Sequence, residues 1–232
     1  MDFRESFQGH AKVFLAVVHA ESEAQALRNV AIARNGGAHG VFLINHRIPS
    51  RDLYVIYRRV RQAHAKWWIG LNPLDMDPAA TFACTTPDVS GLWFDRGGVD
   101  LKSEDPTHEA RDLVRAHDRS AWRGVYFGGV AFKGQPQGGD PAKEARLAAP
   151  YMDVVTTSGD ATKRSPSVAK IASMRAAIGA APLAIASGMT PENVDTYLNY
   201  ADCVLVASGI SFSHTEFNPR RLRALSDIVR AR

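Results

Sequence analysis

Residues 182–211, PLAIASGMTPENVDTYLNYADCVLVASGIS, decide the fold. An apolar run at 183–186 ends at Ser187-Gly188, and a second at 203–206 ends at Ser208-Gly209. Between them Thr190 precedes Pro191, a capping residue followed by the one residue whose missing N–H costs a helix start nothing. A strand, a short helix closing near Tyr200-Ala201 and a second strand, spaced this closely, predict a parallel βαβ unit. Each strand hands over to a glycine beside a small hydroxyl, which leaves room for an anion to approach backbone N–H groups. That layout is expected of the last two arms of a (β/α)8 barrel, where such loops hold phosphate.

Working outward, six more strand-like runs precede this stretch, each followed by a helical segment. They fall at 12–19 (helix 21–34), 40–45 (51–65), 67–71 (opening at Asp77-Pro78), 89–94 (109–116), 124–132 (141–149) and 152–157 (166–178). A closing helix is expected over 219–229. Five helix starts carry a capping residue before proline: Asp77-Pro78, Asp140-Pro141, Ser165-Pro166, Thr190-Pro191 and Asn218-Pro219. Eight alternating units fit a doubly wound sheet or a closed barrel. The count of eight and the length of 232 residues favour an α/β chain folded as a (β/α)8 TIM barrel of the phosphate-binding type. No composition break divides it, so one domain over residues 1–232 is expected.

The chain is 45% hydrophobic and 22% charged, ordinary globular usage that argues against disorder. Its net charge of +4 is mild, and its basic residues are scattered apart from Arg58-Arg59-Arg61 and Arg220-Arg221-Arg223. These read as solvated helix faces, so no nucleic-acid partner is expected. The opening MDFRESFQGHAK has no apolar signal core and no run approaches membrane-spanning length, which points to a cytoplasmic protein without membrane insertion. Cys84 and Cys203 suggest neither a zinc site nor a disulfide, and Cys203 reads as a small core residue.

In such a barrel the chemistry lies at the carboxyl ends of the strands. His19 ends the first run, Asn45-His46 the second, and Asn72 the third, with Asp75 and Asp77 in its loop. Asp95-Arg96, Lys133, Ser158-Gly159-Asp160, Ser187-Gly188 and Ser208-Gly209 follow the rest. His19, Asp95 and Lys133 are the candidate catalytic residues. His19 suits acid–base chemistry near neutral pH, or the plainer role of a hydrogen-bonded barrel histidine. Lys133, after the apolar stem Val130-Ala131-Phe132, suits a cation for a phosphate or carboxylate in preference to a Schiff-base nucleophile. Asp95 suits a base or a magnesium ligand, or simply an ion-pair partner of Lys133 or Arg96. Asn45, Asn72, Thr157, Ser158, Gly159, Ser187, Gly188, Ser208 and Gly209 are candidate substrate-binding residues, with Thr162 beside them. His19, Asp75, Asp77 and Asp95 lack any diagnostic metal spacing, so a divalent ion is only an alternative and no cofactor is expected. The glycine-rich GGVAFKGQPQGGDP at 128–141 fits no nucleotide-binding pattern and reads as a mobile loop over a ligand.

VVH at 17–19, HGVFLIN at 39–45, IGLN at 69–72, FK at 132–133, MDVVTTSGDAT at 152–162 and the opening stretch together resemble the BtpA (also SgcQ) family of TIM-barrel proteins. The resemblance spans most of the chain, and by motif position it falls on His19, Asn45, Asn72, Lys133, Ser158, Gly159, Ser187 and Gly188. Here Ala20-Glu21 replaces a proline-rich turn, and Asp95 stands where asparagine is common. The resemblance implies a fold related to phosphoribosylanthranilate isomerase and the tryptophan synthase alpha chain. Two functions follow as expectations. One is an isomerase, lyase or transferase acting on a small phosphorylated metabolite, of phosphoribosyl or sugar-phosphate type, with the phosphate after strands seven and eight. The alternative is a non-catalytic assembly or stability factor built on the same scaffold. A homo-oligomer is compatible with either.

Overall fold

In the computed structural model, which describes residues 2–135, 139–161 and 164–232, eight parallel strands close into a barrel. They are β1 (Val13–Ala20), β2 (Gly40–Asn45), β3 (Trp68–Asn72), β4 (Gly91–Phe94), β5 (Val125–Gly129), β6 (Val154–Ser158), β7 (Leu183–Ala186) and β8 (Cys203–Val206). Each pairs with its sequence neighbour, and β8 returns to β1 with Val13 opposite Cys203 and Ala16 opposite Val206. Helix α1 (Phe3–Ser6) precedes the barrel, and α2 (Glu23–Asn35), α3 (Ser50–Ala63), α4 (Pro78–Cys84), α5 (His108–Arg119), α6 (Pro141–Ala148), α7 (Val168–Ile178), α8 (Val194–Leu198) and α9 (Pro219–Arg230) alternate with the strands. This is the TIM barrel that the eightfold alternation predicts.

The strands are buried on both faces, as parallel strands under a ring of helices must be. Residues of one parity, including Phe14, Val41, Leu43, Ile69, Leu71, Leu92, Val155 and Ile185, pack outward against the helices. Residues of the other parity, including Val13, Leu15, Val17, Phe42, Ile44, Trp68, Trp93, Val125, Phe127, Val154, Ala184, Cys203 and Leu205, fill the barrel. Because side chains alternate, the parity of Val13, Leu15 and Val17 turns His19 into the barrel mouth, whereas Asn45 follows the outward set. The interior is layered large against small: a β-carbon at Gly70 would stand 2.4 Å from Phe42, and one at Gly91 2.5 Å from Trp68. Helix α1, which the periodicity of the strands does not announce, closes the amino end. Phe3 lies 6.2 Å from Phe127, and Phe7 lies 5.2 Å from Trp68, between ring centroids.

Helix starts follow local chemistry closely. Asp77, Asp140 and Asn218 cap the helices that open with the next proline, their side chains accepting from backbone N–H groups one turn on. Two of the five cap–proline pairs act differently. Ser167, not Ser165, caps α7, while Ser165 Oγ donates to Gly188 O at 2.8 Å. Thr190-Pro191 opens a turn, with Thr190 N donating to Asn193 Oδ1 at 2.9 Å, and the helix runs only from Val194 to Leu198. Helix α3 starts after Pro49, which has no side chain to cap it; Asp75 takes over, its carboxylate accepting from Ser50 N and from Asn45 Nδ2. β5 ends at Gly129, three residues before the predicted end at 132. Ala131 holds φ +46°, a left-handed conformation that no strand continues, and Phe132 folds back into the barrel against Trp93.

Candidate functional site

At the carboxyl mouth a cavity of about 310 Å³ is lined by residues from five strand ends and from the loops after β2, β5, β7 and β8. Val17 and Ile44 form its lower wall with Trp93, and His19, His46, Lys133 and His214 give it polar groups. Ser187-Gly188-Met189 and Ala207-Ser208-Gly209 complete the side nearest β7 and β8. Of the residues singled out from sequence, His19, Lys133, Ser187, Gly188, Ser208 and Gly209 are brought together here.

The remaining six have other work. Asn45 is committed to the β2 and β3 loops: its amide donates to Ile48 O and to Asp75, and its oxygen accepts from Leu74 N. Thr157 Oγ1 donates to Ala131 O at 3.4 Å. Ser158 Oγ accepts from Lys133 N at 2.8 Å and donates to Gly159 O, so it fixes the backbone of Lys133 and leaves no hydroxyl for the cavity. Gly159 makes space for the Arg164 carbonyl oxygen, 2.1 Å from where a β-carbon would stand. Asn72 Nδ2 donates to Asp95 Oδ1 at 3.3 Å, and the pair sits beside the cavity without lining it. Burial pushes the Asp95 carboxyl above its usual range, against the opposing effects of the Lys133 cation and the Asn72 hydrogen bond. Arg96 is paired with Glu109 at 2.8 Å and does not serve Asp95. Thr162 and part of the 128–141 loop lie outside the described residues.

The glycines at the rim change meaning in three dimensions. A β-carbon on Gly188 would stand 2.3 Å from Ser165 N, and one on Gly209 would stand 1.9 Å from Met189 O. On β5, a β-carbon on Gly129 would stand 2.1 Å from Asp95 O. Each of these glycines admits the backbone of a neighbouring loop, so the rim is built as an overlapping ring. Their N–H groups stay available: among the described residues, Gly188, Ser208 and Gly209 donate to no backbone or side-chain acceptor. Ser187 has φ +82°, and Gly188 follows at +73°. For serine that conformation is strained, and such strain collects at functional loops. Lys170 braces the rim from α7, its ammonium donating to Ala131 O at 2.6 Å and Ser158 O at 2.7 Å.

Three imidazoles share the mouth. His19 lies 4.7 Å from His46, nearly stacked, and 4.1 Å from His214. His214 has no periodic signal in the sequence, because it rides on the loop after β8. That loop is pinned to α2 by buried polar residues: Asn29 Nδ2 and Gln25 Nε2 both donate to Thr215 O at 2.8 Å, and Asn29 Oδ1 accepts from Phe217 N. His46 is visible at the end of β2, but only the barrel places it against His19. Among the described residues no three His, Cys, Asp or Glu side chains are grouped to hold a metal ion. Asp75 and Asp77, weighed from sequence as metal ligands, instead cap α3 and α4.

Burial holds the His19 pKa down to about 3, and the neighbouring His214, His46 and Lys133 push the same way. His19 is therefore a neutral imidazole at physiological pH, able to donate from one ring nitrogen and accept at the other. The unfolded chain protonates this residue near pH 6.5 while the folded chain does not, so stability falls as pH drops from about 6.5 toward 3. We expect His19→Gln to flatten that limb by up to about 1.4 kcal/mol per pH unit in urea titrations. An unchanged slope would show that His19 is not held neutral.

No protein-family model matches the chain, and no curated protein matches it in sequence. Among solved structures it is similar to (S)-3-O-geranylgeranylglyceryl phosphate synthase from Thermoplasma acidophilum in complex with sn-glycerol-1-phosphate, with TM-score 0.69, 15% identity and coverage of 100% of both chains. It is also similar to tryptophan synthase subunit alpha from Legionella pneumophila, with TM-score 0.66 and 13% identity over 95% of this chain and 94% of that one. Phosphoribosyl anthranilate isomerase from Thermus thermophilus gives TM-score 0.63 and 16% identity over 95% and 98%. At such identities the likeness establishes the TIM-barrel fold. Among the described residues no helix is long and apolar enough to cross a membrane.

Proposed function

We propose that the chain is an enzyme acting on a small phosphorylated metabolite of phosphoribosyl or sugar-phosphate type. The observation that carries this reading is that one cavity is lined by three residues whose backbone N–H groups are uncommitted among the described residues, together with a neutral histidine and a lysine. Gly188, Ser208 and Gly209 would hold the phosphate through backbone donors, as loops after the last two strands of such barrels do. His19, neutral and uncharged, would move a proton; Lys133 would stabilise the negative charge that develops opposite it. Asp95, held by Asn72, would serve as a nearby counter-charge to Lys133. Isomerase, lyase and transferase chemistry all use these parts.

The named activities of the structural neighbours, a glyceryl phosphate synthase, a phosphoribosyl anthranilate isomerase and a tryptophan synthase subunit, support the phosphate by analogy of fold. Membership of the BtpA family rests on the segments at 17–19, 39–45, 69–72, 132–133, 152–162 and 187–211, and belongs to the same proposal, as does a cytoplasmic setting. Thermal unfolding with inorganic phosphate and a panel of sugar phosphates tests the reading. A ligand at a hundred times its Kd is expected to add about 2.7 kcal/mol, raising the midpoint by roughly 5–10 °C for a chain of this size. No shift with any phosphorylated compound would overturn it.

A further inference from the structure

We infer that the deep end of the cavity is a second anchoring subsite, for a carboxylate, so that the ligand carries a phosphomonoester at one end and a carboxylate at the other. This rests on the phosphate reading for the rim and adds the chemistry of the opposite end.

Trp93 is the first observation. It points inward from β4, is only 4% exposed, packs 5.6 Å from Phe42 and 6.0 Å from Phe132, and lines the cavity. Its indole N–H is buried and, among the described residues, has no acceptor. Buried donors are almost always paired, so an orphan on a cavity wall marks the place of a ligand acceptor. His19 Nδ1, on the same cavity, is another buried ring atom without a partner among the described residues.

Charge decides which acceptor. Among the described residues Lys133 is the one lysine or arginine that lines the cavity, and no aspartate or glutamate lines it. Its ammonium stands 5.8 Å from the ring centroid of Phe132, the ring that packs on Trp93. A cation and an unpaired neutral donor lining one cavity, with no acidic side chain on the described wall, suit the two oxygens of a carboxylate: one for the indole N–H and one for the ammonium. A carboxylate also neutralises the ammonium, which an uncharged carbonyl does not.

Calorimetry on the full chain tests this with five probes: inorganic phosphate, glycerol 3-phosphate, dihydroxyacetone phosphate, 3-phosphoglycerate and D-glycerate. We expect 3-phosphoglycerate to bind about tenfold tighter than glycerol 3-phosphate, the worth of one hydrogen bond to a charged group. Trp93→Phe keeps the ring and removes the donor. It is expected to erase that advantage and leave the Kd for inorganic phosphate unchanged. In proton–nitrogen spectra the Trp93 indole resonance should move with 3-phosphoglycerate and D-glycerate but not with glycerol 3-phosphate. Equal affinities for the three organic phosphates would overturn the subsite, and tight binding of dihydroxyacetone phosphate alone would replace the carboxylate by a carbonyl. If inorganic phosphate fails to bind while D-glycerate still moves the indole, the rim reading falls and the carboxylate subsite stands. Should Trp93→Phe not fold, the four wild-type indole resonances decide, since none responding to 3-phosphoglycerate would end the inference.

Discussion

Gly209→Ala is expected to lower the unfolding midpoint by roughly 5–10 °C and to remove the stabilisation conferred by phosphate. The position tolerates glycine because the added carbon would stand 1.9 Å from Met189 O, 2.9 Å from Met189 C and 3.2 Å from Thr190 Cα. All three are backbone atoms, so no side chain can swing away to make room. The loop after β7 has to move as a whole, at a cost of about 2–3 kcal/mol. That loop carries Gly188, which is then displaced from Ser208 and Gly209 on the cavity wall. Ser208→Ala, one residue away on an exposed side chain, is the comparison and should stay within about 0.5 kcal/mol of wild type. A Gly209→Ala protein that melts with the wild type would show that the rim loops are not interlocked.

Arg175→Met has the other large effect, at the opposite end of the barrel. From α7, Arg175 Nε donates to Tyr200 O at 2.7 Å, and Nη1 donates to Gly179 O at 2.6 Å and Ala181 O at 2.8 Å. Its remaining terminal nitrogen pairs with the carboxylate of Asp202, which also accepts from Leu183 N at 2.9 Å. One guanidinium thus ties the end of α7 to the starts of β7 and β8. Methionine keeps the apolar stem but strands three carbonyls and a mostly buried carboxylate. Chemical denaturation should show a loss of about 3 kcal/mol. Adding Asp202→Asn removes the stranded charge and should recover part of that loss. A double variant weaker than Arg175→Met would contradict this account.

The barrel is legible in the sequence because its signals are local. Apolar runs of strand length, Ser-Gly handovers and capped proline starts each report on a few neighbouring residues, and their repetition supplies the topology. The limits of that legibility are physical too. Ser165-Pro166 has the form of a cap, but Ser165 is drawn to the Gly188 carbonyl by a long-range contact no local rule contains. β5 stops early because Ala131 turns left-handed, held by Lys170 and Thr157 from elsewhere in the chain. Asn45 and His46 are neighbours in sequence, yet strand parity sends one outward to brace a loop and the other to the mouth. His214 and the indole of Trp93 carry no signature as site residues. His214 sits in an aperiodic loop, and Trp93 is indistinguishable by pattern from any core aromatic. The rim glycines suggest room for an anion, whereas the space a side chain would take is filled by the backbone of a neighbouring loop.

Biosynthesis meets this architecture in an awkward order. The floor of the barrel is sealed by Phe3 and Phe7 against Trp68 and Phe127, which leave the ribosome well after them. The free edge of β1 is likewise paired only when Cys203–Val206 arrives. Until then the nascent chain carries an open strand edge and two unseated aromatic rings, the kind of surface on which growing chains associate wrongly. Closure of the ring, not the stability of any one arm, is what removes that surface.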